Sequence, residues 1–444
     1  MKQTKFKILT TSCALAVLLA ACGGGGGSGS GGTNGDTFVG TITSFGSVTV
    51  GGVKFETDDD TEIEVEDEAH DESELEVGQR VVIRGTDNGD GTGTAHSIKY
   101  DDNLEGIVTV DLSGAGTGIM TIMGQDVKIT VTTVVESDVD GLTISSAADI
   151  TAGMIVEVSG LPTAEGEITA TFIEVKGANL TDYLAAGGEL EMKGTISDLS
   201  PDTDPKTFIV NGITVVYDDS TILDDISNEG LVDGLFVEVK TESGLDDEGR
   251  FIATKIEAED DHANDHGDDD DEVEFDGEIT TAWEEGATSI GVNGIEILLT
   301  ETTELEGLGY DGLTEGRRVE VEVSIVDGVY TALEIEAEHD DVEYLKAYGI
   351  AASVDMTEED TLAERNVGTV TIGDDEFTIN PDTIMEDDVN DSDTHFNLTD
   401  LNAGDSVEIY YVIKVTGEGE TAIRENVAVK LERYVPGTES DTED

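Results

Sequence analysis

Beyond residue 37 the chain is written in short runs that alternate apolar and polar residues. "GSVTVGGVKFET" (46–57) and "EGRFIATKIEAE" (248–259) are two of them. Period-two alternation rich in Val, Ile and Thr predicts half-buried β-strands. No long segment carries a helical period. An apolar pair, a tight Gly, Asn or Asp turn and a second apolar alternation recur as "VTVGGVKF" (48–55), "FIVNGITV" (208–215) and "IGVNGIEI" (290–297). "MTIMGQDVKI" (120–129) and "VTIGDDEF" (370–377) are looser versions. Each predicts a β-hairpin, most firmly at Asn211-Gly212 and Asn293-Gly294, where both residues tolerate positive φ.

The hairpin is one of four elements that recur in constant order. A Leu/Ile-x-x-Gly-x-x-Val-x-Val/Ile strand follows it as "LEVGQRVVI" (75–83), "ITAGMIVEV" (150–158), "LVDGLFVEV" (231–239), "LTEGRRVEV" (313–321) and "LNAGDSVEI" (401–409). Ala95, Ala170, Ala253, Ala332 and Ala428 each stand three residues before Ile or Leu. Gly40, Gly106, Gly194, Gly277 and Gly349 open the copies. The repeats fall at 38–104, 105–188, 189–258, 273–342 and 343–435, with an acidic, His-containing linker at 259–272 and an acidic tail at 436–444. A unit this long exceeds a solenoid repeat and suits a small domain. The expected fold is all-β: five tandem small antiparallel β-barrels of the OB-like kind, each folding as a separate unit around its own core. Closing each sheet removes exposed edges.

The opening Gly, the "V-x-V-N-G-I" hairpin, the "L-x-x-G-x-x-V-x-V" strand and the closing "A-x-x-I" resemble the repeated small β-barrels of bacterial lipoproteins catalogued as domain of unknown function 5666. The resemblance spans nearly all of residues 38–434, best in the third and fourth copies. It implies a fold and a lipoprotein context. It implies no activity and no catalytic residue.

The first residues agree with that context. Lys2, Lys5 and Lys7 precede an apolar run from Ile8 to Leu19, too short to span a bilayer. Leu19-Ala20-Ala21-Cys22 matches the bacterial lipobox, so residues 1–21 read as a cleaved signal peptide and Cys22 as the acylated residue. Stable anchoring needs more than one membrane signal, which multiple acylation (palmitate among the chains) supplies. The Gly/Ser stretch up to residue 37 is then a tether reaching roughly 20 Å. Gly23 stands where this lipoprotein class carries an aspartate for inner-membrane retention, so the outer membrane is the expected address. Cys13 leaves with the signal, and the mature chain has no disulfide and no thiol nucleophile.

Charge narrows the partners. The 101 acidic residues against 22 basic ones give a net charge of −79. Such a surface repels nucleic acid and attracts cations and basic partners. The expected partners are membrane lipid through Cys22 and an envelope protein, with no nucleic acid.

Enzyme signatures are absent: no Gly-x-Ser-x-Gly, phosphate-binding loop, His-Glu-x-x-His or Cys-x-x-Cys occurs. "TDNGDGTG" (86–93) fails as a calcium loop, with Thr86 and Ser97 at the terminal ligand positions, and reads as a polar hairpin loop. His70 and His339 lie among acids. His262 and His266, with Asp265, Asp269 and Asp270, form the candidate metal set, since imidazole beside carboxylate suits borderline divalent metals. The leading expectation is therefore a lipid-anchored, non-enzymatic array that binds or scaffolds. The alternatives are a divalent-cation-binding or metal-buffering surface lipoprotein, and a hydrolase with one active repeat. No cofactor is required, a divalent cation being the one candidate.

Replacement of Cys22 tests the anchor. Cys22→Ala abolishes incorporation of labelled palmitate and leaves the signal uncleaved, read on a gel by label and mass. Equal labelling of the two forms contradicts the assignment.

Overall fold

The computed structural model describes residues 36–435 except 46, 59, 67, 138, 140, 163–166, 225, 227–229, 247, 259–270, 285, 293–294, 301, 307, 327–328, 338–343, 357–365, 388, 390–395 and 417–422. The second, fourth and fifth repeats each contribute six strand segments, and the first and third add short extra ones to the same six. In the second they are Leu104–Val110, Gly118–Ile122, Gln125–Ile129, Val134–Glu136, Ile155–Pro162 and Ile168–Gly177. The first three form an antiparallel meander. The third and fourth pair in parallel with the sixth, and the fifth lies antiparallel between sixth and first. The fourth repeat repeats this with Asp271–Thr281, Ser289–Val292, Ile295–Leu298, Glu304–Glu306, Arg318–Val326 and Val329–Ala337. The ring first–second–third–sixth–fifth closes on itself. It is the five-stranded, OB-like Greek-key barrel. The barrel is antiparallel and OB-like as expected, with one parallel neighbouring pair. An odd ring cannot alternate direction throughout, so one neighbouring pair must run parallel, and here it joins third to sixth strand.

The recurring residues are the closing devices. The opening Gly lets the hairpin cross the first strand. A Cβ at Gly106 would lie 2.6 Å from Met123 Cε, and one at Gly349 would lie 2.6 Å from Ile372 Cγ2. The glycine before the Val-x-Val strand has φ between 85° and 108° in every copy, at Gly78, Gly153, Gly234, Gly316 and Gly404. In that conformation its N–H donates to the first strand, to the carbonyls of Ile42, Val108, Ile196, Ile279 and Ala351, all at 2.8 Å.

The recurring alanine marks a corner. Immediately after Ala95, Ala170, Ala332 and Ala428 the pairing of fifth and sixth strands slips by one residue, leaving His96, Thr171, Leu333 and Val429 unpaired in the ladder. In the third repeat the last strand breaks there, between Phe251–Ile252 and Lys255–Ala258. A bulge bends its strand. One half of the sixth strand thus reaches the third and the other half the fourth. At each corner a threonine hydroxyl takes up the alanine carbonyl. Thr61, Thr133, Thr221, Thr303 and Thr383 donate to Ala95, Ala170, Ala253, Ala332 and Ala428 over 2.7–3.1 Å. The same hydroxyl accepts the N–H three residues earlier, at Asp58, Thr130, Asp218, Thr300 and Asn380.

The cores are not five separate ones. Leu104, Met120 and Val158 of the second repeat share one apolar cluster with Met192, Phe208 and Val239 of the third. Their first strands pair antiparallel, Leu104 opposite Met192, which carries apolar contact across the boundary. First and fourth repeats pair first strands in parallel, Thr37–Val39 against Val273–Phe275. Asp271 and Glu272, assigned from sequence to the acidic linker, already pair with Ile325 and Ser324. Phe172 and Val134 of the second repeat lie in the core cluster of the first. One short helix, Leu180–Ala186, leads into the third repeat and is capped by Asn179, whose side chain accepts from Asp182 N–H.

Thr133→Val tests the corner. The change keeps shape but leaves the Ala170 carbonyl and the Thr130 N–H without the hydroxyl, at a cost of about 1–3 kcal/mol. Urea unfolding should move to lower midpoint by that amount with the slope unchanged. An unchanged midpoint removes the brace from the account.

Candidate functional site

Alternation along a strand sends every second residue outward, and in an isolated barrel those positions meet water. Between the first three repeats they meet each other. Glu157, Glu191, Glu238 and Asp102 are all buried there. The fifth strand of the second repeat supplies Glu157 and its last strand Glu174 and Lys176. The first strand of the third repeat, Leu190–Thr195, supplies Glu191 and Lys193, and its fifth, Phe236–Thr241, supplies Glu238 and Lys240. Asp101 and Asp102 connect the last strand of the first repeat, Thr92–Tyr100, to the second repeat.

Part of this seam is balanced. Glu191 lies opposite Lys240 and Glu238 opposite Lys193 in the antiparallel ladder. Lys240 Nζ is 2.8 Å from Glu191 and 3.2 Å from Glu238, and Lys193 Nζ is 3.4 Å and 3.2 Å from the same two carboxylates. Burial works against both ammonium groups, but the carboxylates outweigh it and hold both lysines above their usual range. Burial and the neighbouring Glu191 push Glu238 up to about 7. Lys176 bridges Glu157 at 3.2 Å and Glu174 at 2.9 Å. Lys99 bridges Asp101 at 3.0 Å and Glu64 at 3.6 Å.

Beside Glu157 the balance is incomplete. Glu66, Asp102 and Glu157 each bring a carboxylate oxygen to one place, no two further apart than 4.8 Å. Glu66 stands in the turn after the fourth strand of the first repeat with φ of 48°, a left-handed conformation that is uncommon outside glycine. Its N–H donates to Tyr100 O at 3.0 Å, and its Oε1 accepts Asp102 N–H at 2.9 Å. Glu157 Oε1 accepts the Tyr100 hydroxyl at 2.6 Å. Asp102 Oδ1 is buried without a hydrogen-bond partner. Burial first, then repulsion among neighbouring carboxylates, pushes Glu66 up to about 8 and Asp102 well above its usual range. Nearby Glu105 is likewise pushed up to about 8 by burial. Its hydrogen bond from Tyr183 on the helix opposes that shift, and Glu157 adds to it.

Five stretches, 39–99, 105–174, 193–257, 276–336 and 361–418, match the family described as Domain of unknown function (DUF5666), together well over half of the chain. The chain belongs to that family. No curated protein matches it. Among solved structures, one described as "drosophila Unr CSD456" is similar over 55% of this chain and 97% of its own, at 13% identity and a TM-score of 0.13, too low to relate the two arrangements.

In this DUF5666 protein the residues singled out from sequence fare unequally. Cys22, His262, Asp265, His266, Asp269 and Asp270 lie outside the described residues, as do His339 and the Asn293-Gly294 turn. His70 is exposed, and its acidic neighbours do not converge on it; among the described residues the one converging set is Glu66, Asp102 and Glu157. The 86–93 stretch is a polar hairpin loop as expected. Gly89 and Gly91 have positive φ, and the Asp87 and Asp90 side chains accept from the N–H groups of Gly89 and Thr92. Sequence reading missed the converging set because its members stand 36 and 55 residues apart, in a chain where any carboxylate has acidic neighbours. The one local signal was Asp101-Asp102-Asn103 at a repeat boundary.

Glu105 gives a pH test. Its value rises from 4.5 unfolded to about 8 folded, so between those limits the folded state holds a proton that the unfolded state releases. Stability must then fall as pH rises through that window, by at most about 1.4 kcal/mol per unit for this group, and level off above it. In EDTA, Glu105→Gln should melt close to wild type near pH 5 and above it past about pH 8. Parallel melting curves across that range contradict a protonated Glu105.

Proposed function

We propose that this DUF5666 protein is a lipid-anchored scaffold of the cell envelope, held by acylated Cys22 at the outer membrane, whose work is binding rather than catalysis. One observation supports the reading most: the residues that recur in all five copies are structural. The opening glycine makes room for the hairpin, the turn glycine donates to the first strand, and the alanine and threonine build the corner. None presents a nucleophile, base or ligand to solvent. The repeated part of the sequence maintains a barrel, and the copies differ on their outer faces, where partners meet them.

A second observation suggests where a partner meets the array. In four repeats the outer edge of the first strand is paired with the first strand of another repeat, first with fourth and second with third. In the fifth, Leu345–Met356 pairs with the fifth strand on one side through Leu345–Ile350, and with the second strand only from Ala351 onward. Tyr348 and Ile350 on that segment are 69% and 55% exposed, unusual for residues of this size. An edge strand with apolar side chains is a surface for strand addition by an envelope protein.

Photo-crosslinking in cells tests this reading. A photoreactive residue at position 348 or 350 should give a discrete heavier adduct in the outer-membrane fraction, and the same residue at the exposed Asp126 should give none. A soluble wild-type chain, or hydrolytic turnover by the purified protein that survives repurification, would sink it.

A further inference from the structure

We infer that Glu66, Asp102 and Glu157 form a binding site for a hard divalent cation, calcium before magnesium, that clamps the first repeat to the second. Three oxygens from three separate segments meet at the boundary: the turn after a strand of repeat one, the connecting peptide, and the fifth strand of repeat two. No two of these oxygens lie further apart than 4.8 Å, within the span of opposite oxygens around an ion held at about 2.4 Å. Magnesium dehydrates reluctantly and keeps several waters, which an enclosed set of carboxylates suits less than it suits calcium. With no nitrogen or sulfur donor in the set, zinc and copper are poorly served.

The oxygen that points to a ligand is Asp102 Oδ1. Asp102 is 3% exposed, and this atom has no donor from protein. A buried carboxylate oxygen left bare is costly, and the lysines of the seam do not relieve it. Lys176 is engaged by Glu157 and Glu174, Lys193 and Lys240 by Glu191 and Glu238, and Lys99 by Asp101 and Glu64. Among the described residues neither Glu66 nor Asp102 has a basic side chain within ion-pair distance, and Lys193 acts on them only from further away. A cation among the three oxygens supplies both the missing charge and the missing partner. It leaves the backbone contacts of Glu66 and the Tyr100 hydrogen bond to Glu157 in place.

The site differs from the histidine-containing linker in residues and donor chemistry, so each can fail alone. It also gives the repeat array a cation-dependent joint. With the ion bound, the first two barrels are tied through their connecting peptide. Without it, three carboxylates are packed together at that joint.

Calcium titration of the full chain, stripped with EDTA and then freed of it, is the test. About 0.5 M NaCl shortens the Debye length to roughly 4 Å and suppresses diffuse binding to the acidic surface. Wild type should show one saturable calorimetric event and a calcium-dependent rise in melting temperature. Asp102→Asn and Glu66→Gln should each weaken that event by at least roughly tenfold, because each removes a ligand charge. Asp126→Asn, at an exposed site on the second repeat, should not. Terbium as a calcium surrogate adds a second readout. Tyr100 lies against Glu157, so bound terbium should give tyrosine-sensitised emission that Tyr100→Phe reduces while calcium binding persists. Should one variant fail to fold in metal-free melts, the other carries the comparison. No saturable event in wild type, or the same event in Asp102→Asn or Glu66→Gln, overturns the site and leaves shared protons as what holds the three carboxylates together.

Discussion

The contact on which each barrel depends is the threonine hydroxyl that takes up an alanine carbonyl at the bend of the last strand. A ring of five short strands needs its sixth segment to serve two neighbours, and a flat strand cannot reach both. The bulge supplies the bend, and a bend takes a strand locally out of its ladder. A carbonyl buried at such a point must find another donor. Thr133 and Thr383 do this from fully enclosed positions, each also accepting the N–H of its own turn. One hydroxyl thereby fixes the turn before the fourth strand against the corner of the sixth.

Small barrels have little apolar interior, and this chain adds to it by joining repeats. Leu104 opposite Met192 merges two cores, and Phe172 extends a third. The consequence is electrostatic. Outward-facing positions that would be solvated on a lone barrel are drawn into the seams, and in a chain with 101 acidic residues many of them are carboxylates. Lysines answer some of that charge in cross-strand pairs. Buried ion pairs of this kind add little net stability against an apolar seam, yet removing one partner is expensive. Each of these pairs lies within one repeat, so they balance the faces that form the seam rather than tie one repeat to another.

Unanswered charge lies at the joint between repeats one and two. Glu66 and Asp102 are held by backbone geometry and Glu157 by a tyrosine hydroxyl, with Lys176 on Glu157 as the one ion pair to the set among the described residues. Protons shared among them or a bound cation would relieve the charge that remains. With a cation there, the rigidity of this boundary follows ionic conditions, while the barrels on either side keep their own backbone closure.

The five barrels were legible in the sequence because their determinants are local. A period of two marks a strand, Asn211-Gly212 marks a turn with positive φ, and Gly78 and its four equivalents mark the turn into the fifth strand. The corner threonines were legible in principle too. "DDDT", "TVTT", "DDST", "TETT" and "NPDT" (58–61, 130–133, 218–221, 300–303 and 380–383) share a threonine three residues after a turn-forming polar residue. The parallel third-to-sixth pairing follows from ring closure, which no single segment encodes. The joint between repeats was decided by tertiary structure alone. Whether an outward glutamate such as Glu157 meets water, a lysine or two other carboxylates depends on which barrel packs against that face. That packing is set by surface shape and first-strand pairing over distances that no local pattern of residues records.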